Sequence, residues 1–217
     1  SMPFAALTTP EQYEGMLVKF PQELVISEYF NYDRYGEIVL GLPKDGEPRL
    51  FTPTNVVEPG ADAISLAAEN SLRRITLDDI NSSQNPAVLR HPNGLPFSLD
   101  NLFRGGDLVQ NAVGVLGYDF NLYRILPTAP ADYTAVNPRP ATPEDVGGSL
   151  KIAAMNTLNY FLTIDTGAFI CGPNEDMECR GADNQEELTR QRTKLLQALA
   201  GLNAGVIGLN EGENTPG

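Results

Sequence analysis

The chain has 217 residues, 41% of them hydrophobic, and a formal net charge of −13. That length holds one large domain or two small ones, and no stretch approaches the ~20 apolar residues of a membrane span. The acidic balance argues against a general phosphate-binding surface, which needs clustered Lys and Arg, although a local contact or bound divalent cations still admit nucleic acid.

Residues 3–11 form a lead without regular pattern. No secretory apolar region precedes them, and Ser1-Met2 reads as a protease scar before an introduced start codon, which leaves room for a trimmed signal peptide. Two β-type runs follow, Glu14–Phe20 and Glu23–Glu28, separated by Pro21-Gln22; a third, Tyr35–Leu40, ends at the turn Pro43-Lys44-Asp45-Gly46. Arg49–Phe51 is expected to resume extended structure. Ile64, Ala67, Ala68 and Leu72 keep helical spacing after Pro59-Gly60. Arg74–Asp78 reads as strand and 79–105 as a long loop, after which Asp107–Leu116 and Asn121–Leu126 predict a hairpin around Gly117–Phe120. Three strands, a helix and two strands is the order of an OB-fold-like β-barrel, and other small barrels share a similar list.

Pro127, Pro130, Pro138, Pro140 and Pro143 then lead to Gly147-Gly148, the composition of a semi-rigid linker. The reading is therefore an OB-like domain at 12–128, a linker at 129–148 and a second unit at 149–217. In that unit Leu150–Phe161 is strand-like. Asp183 or Asn184 caps a helix with Glu186 and Glu187 in its first turn, Leu188, Leu195, Leu196 and Leu199 on one side, and a stop near Gly201. Val206–Leu209 is a second strand, giving a βαβ unit that is expected to be parallel and right-handed. The fold class is mixed: an all-β barrel with one helix, then an α/β unit.

Cys171 and Cys179 lie eight positions apart in a Gly- and acid-rich loop, with no third cysteine. An even count at short spacing suggests a disulfide and an oxidising compartment. A pair of free thiols is the other reading; a metal site is weaker, since the only histidine is His91, far away in sequence.

Lys151-Ile-Ala-Ala-Met-Asn156-Thr-Leu-Asn159-Tyr160-Phe161, followed by Val206-Ile-Gly-Leu209-Asn210-Glu211-Gly212-Glu213-Asn214, resembles the opening of the endonuclease/exonuclease/phosphatase superfamily. More narrowly it is similar to bacterial extracellular nucleases that join an OB-like N-terminal domain to a metal-dependent catalytic domain. Cys171-Gly-Pro…Cys179-Arg180-Gly-Ala-Asp183, Arg190-Gln-Arg192, Tyr35-Gly36-Glu37, Leu50–Thr54, Glu58-Pro59-Gly60 and Asn137–Pro140 carry the same likeness, which spans about residues 13–214. Gly212 stands where the family usually has a bulky aliphatic residue, loosening the loop beside Glu211. The family's second half, with its histidine and further carboxylates, is not in this chain.

The resemblance implies that Glu211 ligates Mg²⁺, or Mn²⁺ or Ca²⁺, with Asn156 beside it. The ion belongs to the whole enzyme and need not be held by this chain. It implies phosphodiester hydrolysis of DNA or RNA outside the cell or in the periplasm, and a chain that is inactive alone, because His91 is not the family's histidine. Each residue has a plainer reading. Glu211 ends a strand in solvent; Asn156 bonds the turn that ends its strand; Asn159, Asn210 and Glu213 take surface or turn roles. Arg180 reaches substrate phosphate or pairs with an acid. Asn174, Glu175, Asp176 and Glu178 lack an EF-hand pattern, so a solvated acidic loop is preferred over a Ca²⁺ site.

Tyr29, Phe30, Tyr32, Arg34 and Tyr35 mix aromatics with a cation, as a base-stacking surface does. The other reading makes some of them barrel core and pairs Arg34 with Asp33 or Glu37. Tyr32, Arg34 and Tyr35, with Arg180, are the nucleic-acid candidates. A rival function is a non-catalytic OB-fold binding or adaptor protein that recognises oligonucleotide, oligosaccharide or protein. A βαβ unit of about 70 residues buries little core and leaves its sheet edges open. It is therefore expected to pack on the first domain, self-associate or meet a complementing second half.

Overall fold

A computed structural model describes residues 1–44 and 46–214. Asp45, in the turn read at 43–46, and 215–217, at the end of the second unit, lie outside the described residues. The chain divides into two compact units, Ser1–Arg139 and Pro140–Gly217. The fold class is mixed, with more strand than helix and one multi-stranded sheet.

Unit 1 begins with a 3₁₀ turn at Thr9–Tyr13, in the lead where the sequence shows no pattern. Strands β1 (Leu17–Phe20) and β2 (Leu24–Glu28) follow, then a single helical turn, α1 (Tyr32–Tyr35), and strand β3 (Ile38–Gly41). Helix α2 (Ala61–Leu72) leads into β4 (Arg74–Leu77); β5 (Leu108–Gln110), β6 (Ala112–Asp119), β7 (Leu122–Pro127) and β8 (Asp132–Thr134) complete the unit.

Two breaks face each other in this sheet. Pro21 cannot donate to a ladder and ends β1. Asn111, at φ 58°, kinks the chain between β5 and β6, so the run 107–116 is two strands and not one. β1 pairs with β6 and β2 with β5, so the bent segments 17–28 and 108–119 run side by side. β2 pairs with β3, β3 with β4, β4 with β7 in parallel, and β7 with β6, and the pairings return to where they began. Alternate residues of a strand share a face. The inward set supplies the core: Leu24, Ile26, Ile38, Leu40, Val109 and Ile125 are all under 2% exposed.

Four local expectations change. Tyr35 is not strand: the chain turns helically over Tyr32–Tyr35, Gly36 closes it at φ 71°, and the strand begins at Ile38. Arg49–Phe51 joins no strand; Leu50 N–H donates to Ser27 Oγ (3.3 Å) and the Arg49 guanidinium lies 5.0 Å from the Phe51 ring centre. β6 continues to Asp119, so the hairpin turns on Phe120-Asn121. The stretch 129–148, read as linker, also contributes β8, which pairs with β5 at the sheet edge.

Unit 2 contains β9 (Ile152–Tyr160), the short pair β10 (Phe169–Cys171) and β11 (Met177–Glu178), helix α3 (Gln185–Leu202) and β12 (Val206–Gly212). β12 runs parallel to β9, from Val206 opposite Ile152 to Asn210 opposite Asn156. Cys171 and Cys179 form a disulfide, Cα–Cα 5.1 Å. Asn184, and not Asp183, caps α3, its side chain accepting from Glu187 N–H at 2.9 Å. The helix passes through Gly201 and ends at Asn203, whose φ of 45° supplies the left-handed cap. No helix among the described residues is long and apolar enough to cross a membrane.

Candidate functional site

Asn156 and Glu211 meet, and the cause is an irregularity in β12. Through Asn210 the ladder is regular, with Asn156 opposite Asn210. Successive residues of a strand point to opposite faces, so a regular ladder would turn Glu211 away from Asn156. Instead the register shifts between Asn210 and Gly212, and Glu211 adopts φ 61°. A bulge of this kind re-aims a side chain. The Asn156 amide Nδ2 now donates to Glu211 Oε1 at 2.7 Å.

The surrounding bonds fix both residues. Asn156 Oδ1 accepts from Leu158 N–H (2.8 Å), holding a turn in which Leu158 and Asn159 take φ 53° and 58°. The plain turn-holding role and the carboxylate-holding role therefore belong to the two ends of one amide. The buried Thr157 hydroxyl lies 2.8 Å from the carbonyl of Asn210 and 3.1 Å from that of Glu211, stitching β9 to the bulge. Glu213 accepts from Leu162 N–H (2.7 Å), Thr163 N–H (3.1 Å) and the Thr163 hydroxyl, which fixes the chain leaving β9. Gln191 of α3 donates to Leu158 O at 3.2 Å. Asn159, Asn210 and Glu213 thus shape the site's backbone.

Glu211 is exposed, so the site offers one accessible carboxylate, oriented by an amide. Among the described residues no three His, Cys, Asp or Glu side chains converge on a metal position. This donor set fits a hard cation of the Mg²⁺ type, which takes one or two carboxylates and completes its shell with phosphate oxygens and water. Arg180 is exposed on the residue after buried Cys179 and makes no ion pair among the described residues, so the pairing with an acid is not there. Asn174, Glu175, Asp176 and Glu178 are all exposed.

In unit 1 the aromatic candidates separate. Tyr32 is 5% exposed; its hydroxyl donates to Arg90 O (2.9 Å) and its ring packs edge-on against Phe97 and Phe103. Burial, with the charge of Asp79, pushes its hydroxyl well above the usual phenol range. Tyr32 is core and presents no face to a base, which corrects its place among the nucleic-acid candidates. The reason is α1. A strand would align Tyr32 with Arg34, whereas residues two apart in a helical turn point to roughly opposite sides. Arg34 and Tyr35 are exposed; the guanidinium lies 5.3 Å from the Tyr35 ring centre and, with the Gln84 amide turned to present its oxygen, donates to it from Nε (2.7 Å) and Nη2 (2.6 Å). Arg34 pairs with neither Asp33 nor Glu37.

Sequence reasoning missed Arg124, whose side chain is 6% exposed between Glu37 (2.9 Å) and Asp78. The signal was a lone cation inside the apolar run Leu122–Leu126. The chain matches no family model, no curated protein and no solved structure. The fold and site alone define a two-unit mixed protein with one disulfide and, in its second unit, an exposed carboxylate oriented by an amide.

Proposed function

We propose that the chain is the N-terminal part of a secreted, metal-dependent nuclease of the endonuclease/exonuclease/phosphatase type, hydrolysing phosphodiester bonds of DNA or RNA. One observation carries the reading: Asn156, midway along β9, and Glu211, near the C-terminal end of the adjacent parallel strand β12, joined at 2.7 Å across a bulge. The returning circuit of strand pairs, with β4 and β7 parallel, supports an OB-like barrel as the first unit. The disulfide supports an oxidising compartment.

In this reading Glu211 holds the cation and Asn156 keeps its carboxylate turned toward it. A bound Mg²⁺ would polarise a phosphoryl group and neutralise the leaving oxygen. Arg180 is free to reach phosphate. Activation of water needs a base, and unit 2 contains no histidine.

Two measurements test this. Mn²⁺ titration in the presence of a short oligonucleotide, read by electron paramagnetic resonance, should show binding that Glu211→Gln abolishes and Asn156→Ala weakens about tenfold, the usual cost of removing an outer-shell partner. Equal binding by all three proteins would sink the site. Plasmid DNA incubated with the chain and Mg²⁺ should stay intact; robust cleavage would show that the chain carries its own base.

A further inference from the structure

A recess of about 760 Å³ in unit 1 has walls of unusual character. Tyr35, Ile80, Tyr118, Phe120 and Leu122 line it, from 36% exposed at Tyr35 to 77% at Phe120. Two of these hold backbone conformations that resist them. Ile80 sits at φ 68° and Phe120 at φ 49°, and a β-branched or bulky side chain in the left-handed region is an outlier that persists only where the surroundings impose it. Strain of this kind clusters at ligand clamps. Here it holds two large apolar side chains out in solvent around one recess.

The charge of the recess is predominantly negative. Glu14, Glu37, Asp78 and Asp119 line it against one lining cation, Arg124. Arg124 is already committed to Glu37, Asp78 and the carbonyl of Asp119 (3.0 Å). Glu14 is exposed, and the Asp119 carboxylate accepts only from the local Phe120 N–H among the described residues. The rings accept cations: the Arg34 guanidinium lies 5.3 Å from the Tyr35 ring centre and that of Arg124 lies 5.7 Å from that of Phe120.

We propose that this recess docks an arginine- or lysine-bearing segment of a protein partner, whose cationic side chains stack on Phe120 and Tyr118 and pair with Glu14 and Asp119. Aromatic faces attract guanidinium and ammonium groups, and complementary charge selects the partner and speeds its approach. The same acids repel a phosphate backbone, so unit 1 receives protein at this place and not nucleic acid. The proposal is independent of the nuclease reading, because none of its residues lies in unit 2.

The test is fluorescence anisotropy of the full chain with a labelled (Gly-Arg)₅ peptide at low salt, beside the same peptide with citrulline, which keeps the shape of arginine and removes the charge. The arginine peptide should bind about tenfold or more tightly than the citrulline peptide, and the difference should shrink as salt rises. Phe120→Ala and Glu14→Gln should each weaken binding about fivefold. Phe120→Asn, which suits the left-handed turn, should do the same in a protein that is folded at least as well as the parent. Glu58→Gln, an equal charge change at an exposed position away from the recess, should leave affinity within about twofold. Equal affinity for the citrulline peptide overturns the proposal. So does an effect of Glu58→Gln as large as that of Glu14→Gln, or tighter binding of a labelled single-stranded decanucleotide.

Discussion

Two buried ionisable side chains in unit 1 make its stability depend on pH. His91 is 2% exposed, and its ring meets Tyr133 edge-on at 4.3 Å between centroids. Asn93 N–H donates to its Nδ1 (3.1 Å), so Nδ1 is unprotonated and Nε2–H faces Leu102 O at 3.3 Å. Burial holds the imidazole below its ordinary value, and its bonds to Leu102 and Asn93 with the nearby charge of Asp107 offset this only in part. The unfolded chain takes up a proton near pH 6.5 and the folded one does not, so stability falls as pH drops below about 6.5. Asp107 behaves as a depressed acid. Burial pushes its carboxyl up, but bonds from Asn137 N–H, Tyr133 O–H, Arg104 N–H and Val136 N–H outweigh that and hold it low. Its contribution is therefore present above about pH 3.9 and lost as pH falls through the folded value. Urea midpoints should decline from pH 7 to 5 and again below pH 4. In His91→Asn the decline between pH 7 and 5 should disappear, whatever the overall loss; an unchanged slope would show that His91 is not its source.

At the scale of elements, short turns decide where the strands point. Gly36 ends α1 with a left-handed residue, and a Cβ there would run into the Asp79 carboxyl. Only glycine therefore lets the chain turn out of α1 and enter β3, and that turn sends Tyr32 inward. The hairpin between β6 and β7 reverses on two residues of positive φ, Phe120 and Asn121. Such turns favour asparagine and glycine, and phenylalanine is costly there. Phe120→Asn should accordingly raise stability by about 1 kcal/mol, the low end for a strained left-handed residue, seen as a higher urea midpoint. The same substitution should weaken the arginine peptide, so the strain serves the recess and not the fold. A midpoint at or below that of the parent would show that the Phe120 ring stabilises the turn by packing.

Unit 2 is the thin part of the whole molecule. Thr157, Cys179 and Leu188 are its buried residues among those described, while Ile152, Leu158 and Val206 are 72%, 75% and 53% exposed. Parallel sheets are ordinarily covered on both faces, and two strands with one helix cover little. The disulfide closes a loop of eight residues, worth roughly 2–3 kcal/mol in the chain-entropy account. That is a large share of what so small a core supplies. Reduction by a phosphine should lower the thermal midpoint of unit 2, followed by amide exchange of β9 and β12, by well over 5 °C, and leave β2–β4 of unit 1, which has no cysteine, unchanged. Equal shifts in both units would show that the bridge acts beyond its own loop.

The sequence by itself determined what short-range chemistry controls. Alternating apolar runs named most strands of unit 1, Asp183 or Asn184 with Glu186 and Glu187 marked the start of α3, and two cysteines eight apart suggested their bridge. Asn156 and Glu211 were legible as polar residues carried on two apolar strands, although β9 runs past Asn156 to Tyr160. Their contact was not legible, since it depends on a bulge that becomes visible only when β12 is laid against β9. Nor could spacing alone reveal that Tyr32 would be core, that Arg124 would be buried between Glu37 and Asp78, or that Ile80 and Phe120 would flank one recess. Those outcomes bring together residues tens of positions apart. Only the closure of the sheet, with the burial it enforces, decides which side chains share a face and which charges lose their water.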